Sequence, residues 1–164
     1  MDPELKGLVL KVEETGVGLA RADEIRGAIS KLRGAGKKVF AYVLSLGDAE
    51  YLMVSGCDGI YAAPEAMILV DGLRSSITFF GGTAKRFGID VDVARVGDFK
   101  TFPEQFTRQD MSEPQRETIN AYLDTNVKTV AARVKMGRGI EAVAWQAALD
   151  EGLKPARRAV QLGQ

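Results

Sequence analysis

The sequence predicts an α/β fold with strands in its first half and helices in its second. Three observations carry that expectation. Short apolar runs at residues 8–12, 38–44 and 58–63 are interrupted by stretches with helical spacing. Gly34 and Gly36 punctuate the chain between the first such stretch and the second apolar run. From Ser112 onward the apolar residues recur at intervals of three and four, and only helical signals follow.

The elements follow in order. Residues 8–12 read as a short strand and 13–18 as a loop holding Gly16 and Gly18. Residues 23–32 predict a helix with Ile25, Ala28, Ile29 and Leu32 on one face. Residues 38–44 are apolar enough to lie centrally in a sheet. Strand, crossover helix and strand make a right-handed βαβ unit. A short helix is expected at 48–56, then a third strand at 58–63 ended by Pro64, and a brief apolar run at 67–70. Residues 79–87 read as a helix loosened by Gly81 and Gly82 and stopped by Gly88. Residues 90–96 alternate with period two, which predicts a strand with one polar face.

Ser112-Glu113-Pro114-Gln115 is a strong helix start: Ser112 can cap, Gln115 can complete a capping box, and Pro114 suits the first turn. The helix that follows is the longest, with Ile119, Tyr122, Leu123, Val127, Val130 and Val134 on one face and Gly137 as its stop. Another helix at 140–149 carries Val143, Ala144, Ala147 and Ala148 on one side and stops near Gly152. Pro155 opens a last helix with Ala156, Ala159, Val160 and Leu162, which Gly163 ends. The 164 residues suit a single domain spanning 1–164. A final helix that reaches its glycine stop one residue from the end, together with an unusual start, points to an excerpt of a longer protein.

Composition excludes several functions. The 22 basic and 22 acidic residues cancel, so nothing suggests electrostatic capture of nucleic acid. No apolar run approaches the roughly 20 residues that span a bilayer, and the polar start is unlike a signal peptide. Any membrane anchor is expected outside this chain. There is no histidine, which removes Ser-His-Asp and Cys-His sites and the commonest neutral metal ligand. The single cysteine, Cys57, permits neither an internal disulfide nor a thiolate cluster and reads as a buried structural residue. No metal and no cofactor is expected, and Gly16-Val17-Gly18 lacks the third glycine of a dinucleotide fingerprint.

Without histidine, catalysis falls to carboxylates, lysine, serine or tyrosine, and a Ser-Lys dyad is the most economical arrangement. Ser45, Ser55, Ser75, Ser76 and Ser112 carry no specific nucleophile signal; Ser112 is better explained as a cap. Gly47 and Gly72 follow strand-like runs and could offer oxyanion-hole N–H groups, although turn residues would look the same. Lys100 stands between Phe99 and Phe102. Partial desolvation there would favour the neutral, basic amine. An ordinary surface lysine with its stem on apolar neighbours is the competing reading.

The run Val96-Gly97-Asp98-Phe99-Lys100-Thr101-Phe102-Pro103-Glu104-Gln105-Phe106-Thr107-Arg108-Gln109-Asp110-Met111-Ser112 resembles the lysine segment of the signal peptide peptidase A (protease IV) family of S49 serine peptidases. Agreement covers Val96, Gly97, Lys100, Glu104, Phe106, Arg108, Met111 and Ser112, with Phe99 in place of a tyrosine. The rest of the chain is similar too, and closest to the N-terminal half of the long, two-domain form. The resemblance implies a ClpP/crotonase-like fold of repeated ββα units with C-terminal helices. It implies that Lys100 is the general base of a Ser-Lys dyad. Where related domains carry a run like Ala-Ser-Gly-Gly-Tyr-Tyr, this chain has Leu46-Gly47-Asp48-Ala49-Glu50-Tyr51, so Gly47 occupies the serine position. The implied partner is a C-terminal catalytic domain of the same protein that supplies the serine. The implied substrates are peptides, cleaved signal peptides in particular. The implied assembly is a homo-oligomer on the extracytoplasmic side of the bacterial inner membrane, with the isolated chain inactive. Two alternatives differ in class: a non-catalytic oligomerisation module built on the long helix, and an acyl-CoA enzyme of the crotonase type, for which no residue speaks.

Overall fold

The computed structural model describes residues 4–94 and 96–161, with only the backbone of Gln161. The elements in chain order are β1 (Gly7–Val12), α1 (Leu19–Gly34), β2 (Lys38–Leu46), α2 (Asp48–Val54), β3 (Gly59–Leu69), α3 (Gly81–Arg86), α4 (Glu104–Thr107), α5 (Glu113–Arg138), α6 (Ala142–Glu151), β4 (Leu153–Pro155) and α7 (Ala156–Gln161). The architecture is α/β, as expected. The chain divides into two compact units, Met1–Gly72 with Thr129–Gln164, and Leu73–Lys128. Among the described residues no helix is long and apolar enough to cross a membrane.

The first unit is built on a four-stranded sheet of order β1-β2-β3-β4. β1, β2 and β3 are parallel and β4 runs antiparallel to β3. Alternation along β2 puts Val39, Ala41 and Val43 at zero exposure on one face. On the other face Val9, Tyr42 and Tyr61 remain exposed, and Phe40 lies with its ring 6.0 Å from that of Tyr61. The core therefore sits on one side of the sheet, where Leu52, Val54, Ile29, Val134 and Trp145 join the strand residues. Trp145 stacks on Tyr51 with ring centroids 5.4 Å apart.

Several elements differ from those that spacing predicts. Pro64 does not end a strand: β3 continues through it to Leu69. The ladder jumps from Val43↔Ala62 to Ser45↔Met67, so Pro64 lies in a bulge, where no ladder donor is required of it. Helix α1 begins four residues before the expected start and buries Ala22, Arg26 and Ile29, while Ala28 is exposed. Arg26 can be buried because its Nε meets Asp23 Oδ1 at 2.9 Å, and Asp23 also takes Arg133 Nη2 at 3.2 Å. Gly137 is not the stop of α5, which runs to Arg138. Its missing side chain instead lets the helix touch the Ser55 carbonyl, where a Cβ would overlap. Helix α6 turns Trp145, Ala148 and Leu149 inward and leaves Val143, Ala144 and Ala147 exposed, because burying the large indole dominates the rotation. The strand β4 had no signal: three residues ending in proline are too few for a pattern.

The second unit holds α3, α4 and the first part of α5. Ser112 caps α5 as expected, accepting the Gln115 N–H at 3.3 Å. The expected strand at 90–96 is not one: residues 90–94 and 96 pair in no ladder, and Arg95 lies outside the described residues. Alternation alone makes no strand; a neighbouring strand must take its backbone groups. The expected last-helix residue Leu162 and its stop Gly163 also lie outside the described residues.

Candidate functional site

Gly47 and Gly72 belong to the first unit. Gly47 is the residue before α2, with extended backbone (φ −101°, ψ −173°) that any amino acid adopts. Its N–H donates to Glu50 Oε2 at 3.2 Å. Glu50 is buried, and its other oxygen accepts the Thr15 N–H at 3.0 Å and the Thr15 hydroxyl. Burial alone would raise this carboxyl, but the hydrogen bonds from Thr15 and Gly47 outweigh it and hold Glu50 below the usual range. A Cβ at position 47 would lie 3.1 Å from Glu50 Oε2, so the carboxylate crowds the place a side chain would take.

Gly72 has φ +88°, the backbone of a turn residue that favours glycine. Its N–H donates to Asp48 Oδ1 at 3.2 Å. Burial pushes the Asp48 carboxyl up to about 6, the Gly72 N–H pulls against that shift, and the charge of Asp71 adds to it. Both backbone donors considered for an oxyanion hole are thus engaged by the chain's own carboxylates. A signal was available: Asp48 and Glu50 sit in the first turn of a short helix, where carboxylates reach free N–H groups.

Sequence reasoning missed Lys154. It is 1% exposed, on β4, and its Nζ donates to the Ala148 carbonyl at 2.7 Å. Burial lowers its proton affinity, and the charges of Glu151, Asp48 and Asp71 partly restore it. The lateral row Leu46–Ile68–Lys154 places it across the sheet from the strand end that precedes Gly47.

The serines separate clearly. Ser55 has zero exposure and donates its hydroxyl to the Leu52 carbonyl at 2.7 Å. Ser75 and Ser76 are exposed between elements, Ser45 is half-buried within β2, and Ser112 is a cap. Cys57 is buried as expected. Burial pushes its thiol up to about 11, against the pull of Arg33.

Lys100 lies in the second unit, on the turn before α4. The turn starts at Gly97, with φ +90°, and the Lys100 N–H meets the Gly97 carbonyl at 3.4 Å. Glu104 N–H then donates to Thr101 O at 2.9 Å, opening α4. Lys100 is exposed, and its aromatic neighbours do not enclose it: Phe99 is 62% and Phe102 76% exposed. A concave surface of about 570 Å³ opens here, lined by Val96, Phe99, Lys100, Phe102 and Pro103 among others. The expected dry setting is therefore not made by these aromatics. The geometry presents a primary amine on an exposed turn in an apolar surround, with no enclosed pocket of its own.

Comparisons with known proteins agree with this sequence. The family model for peptidase family S49 matches residues 31–163. The chain is 30% identical over 123 residues to the chloroplastic serine protease SPPA of Arabidopsis thaliana, covering 75% of this chain and 18% of that protein. It is 30% identical over 141 residues to Protease 4 of Haemophilus influenzae, covering 85% of this chain and 23% of that one. Against Protease 4 of Salmonella typhi the identity is 26% over 123 residues, covering 74% and 20%. The chain thus spans about a fifth of the length of these relatives.

Proposed function

This chain belongs to peptidase family S49, and we propose that it is the N-terminal domain of a signal peptide peptidase A type serine endopeptidase, contributing the lysine base and not the serine. The four-stranded sheet with its helices is consistent with the ClpP/crotonase-like fold of that family. The observation that carries the reading is the division of parts. Lys100 is displayed on a glycine-initiated turn, while position 47 has no side chain and its N–H is held by Glu50.

In the proposed mechanism, the neutral Lys100 amine takes the hydroxyl proton of a serine supplied by a second domain as that oxygen attacks a peptide carbonyl. The resulting ammonium then protonates the leaving amine. An exposed lysine needs drying to work this way, and docking of the serine domain over Phe99 and Phe102 would exclude the water. Support for the substrate class, cleaved signal peptides, comes from the family resemblance, as does the placement of an oligomeric enzyme on the extracytoplasmic side of a bacterial inner membrane.

In the two-domain protein, Lys100→Ala should lower kcat/KM for a chromogenic peptide by about 10²–10⁴-fold, the contribution of a general base, with the circular dichroism spectrum unchanged. An unimpaired Lys100→Ala enzyme would instead favour a non-catalytic assembly module.

A further inference from the structure

Lys100 has an exposed side chain, so its position is set by the turn that carries it, and that turn is tied to α4. Helix α4 is only four residues long and cannot hold itself. It is held against α3 by two backbone hydrogen bonds: Phe80 N–H to Gln105 O at 2.6 Å and Gly81 N–H to Arg108 O at 3.1 Å. Gly81 is buried in that contact. A Cβ there would stand 2.5 Å from Arg108 O, 2.6 Å from Thr107 C and 2.7 Å from Arg108 N. All three are backbone atoms, so no rotamer change relieves the overlap. Ordinary contact begins at 3.4 Å, so the end of α4 would have to retreat by roughly an ångström.

The same helix is braced by rings. Phe106 on α4 has its centroid 6.3 Å from Phe80, next to Gly81, and 6.2 Å from Phe102, two residues beyond Lys100. The three rings form a train from α3 to the lysine turn. We propose that Gly81 and Phe106 are positioning residues for Lys100, the first by allowing the backbone latch between α3 and α4 and the second by bracing the turn against it; this rests on the reading of Lys100 as the base.

The adjacent glycine is a built-in control. A Cβ on Gly82 would meet only the Gln109 side chain, at 3.2 Å and beyond, and that side chain can swing away. Misplacing a catalytic group by about an ångström costs on the order of 10²-fold in rate. In the two-domain protein, Gly81→Ala should therefore lower kcat about 10- to 100-fold with KM within about twofold, while Gly82→Ala keeps wild-type kinetics. Phe106→Ala should lower kcat by about tenfold, and Phe106→Tyr, which keeps the ring, should restore it. In a Lys100→Ala background, neither Gly81→Ala nor Phe106→Ala should change the residual rate, since residues that act through one group are not additive. An unchanged circular dichroism spectrum shows that each variant is folded.

The outcomes separate cleanly. If Lys100→Ala abolishes activity but Gly81→Ala and Phe106→Ala retain wild-type kcat, or lose only KM, the positioning role is overturned and the base reading stands. An active Lys100→Ala enzyme overturns both. Should Gly81→Ala fail to fold, the Phe106 pair decides alone: wild-type kcat in Phe106→Ala overturns the inference, and a kcat loss rescued by Phe106→Tyr supports it.

Discussion

Asp48 is the residue at which the chemistry of this fold is most exposed to measurement. Its carboxyl is pushed up to about 6, so the folded state holds the proton more tightly than the unfolded chain does. The stability it contributes is present below about pH 4 and is lost as pH rises through about 6. Asp48→Asn keeps an oxygen acceptor for the Gly72 N–H and removes the charge. Its thermal midpoint should exceed wild type by a few degrees at pH 7.5, roughly the effect of 1 kcal/mol, and the gap should close near pH 4. A variant less stable than wild type at pH 7.5 would mean that the Asp48 charge is needed by Lys154, which faces it together with Asp71 and Glu151. The identities of these residues were on view in the sequence; their interactions were not. Gly47 stood out against the family pattern, and Glu50 in the first turn of α2 was a local candidate for its N–H; nothing local indicated that Thr15, 35 residues from Glu50 in the chain, would take the other carboxylate oxygen.

Elements were legible where their signals are local. The cap at Ser112 follows from short-range side-chain chemistry and is present; the short helix expected from 48 also begins there, as α2. Signals failed where a distant partner decides. Gly137 looks like a stop, as glycines near helix ends usually are, yet its role is contact with the Ser55 carbonyl. Gly137→Ala must therefore overpack backbone against backbone, and it should cost about 1–3 kcal/mol in urea unfolding, not stabilise as an exposed glycine-to-alanine change in a helix does. Residues 90–96 make the complementary case: the pattern is that of a strand, but the described residues offer it no ladder. Helix α6 shows how one large side chain overrides a stripe of small ones, since Trp145 stacked on Tyr51 fixes the rotation.

At the scale of the whole molecule, Gly47, which has no side chain to react, lies in one unit and Lys100, the proposed base, in the other. Neither the first-unit serine Ser55 nor Ser45 is placed to react, the one having zero exposure and the other lying within β2. The isolated chain should accordingly leave chromogenic peptides intact and resist labelling by a fluorophosphonate, whereas the chain joined to a serine-bearing domain should be labelled at that domain's serine. Labelling of the isolated chain would reject the split dyad.

Period-two and helical spacing, glycine stops and a serine cap determined the α/β class, the order of the first three strands and the long helix, because each of these depends on neighbours within a few residues. The absence of histidine and the lysine segment determined the class of chemistry to consider. Tertiary structure alone decided the bulge that carries β3 through Pro64, the burial of Lys154, the carboxylates on the Gly47 and Gly72 N–H groups, and the open setting of Lys100. Each of those depends on which distant backbone atoms come within hydrogen-bonding or van der Waals reach, a quantity that residue types and spacings do not contain.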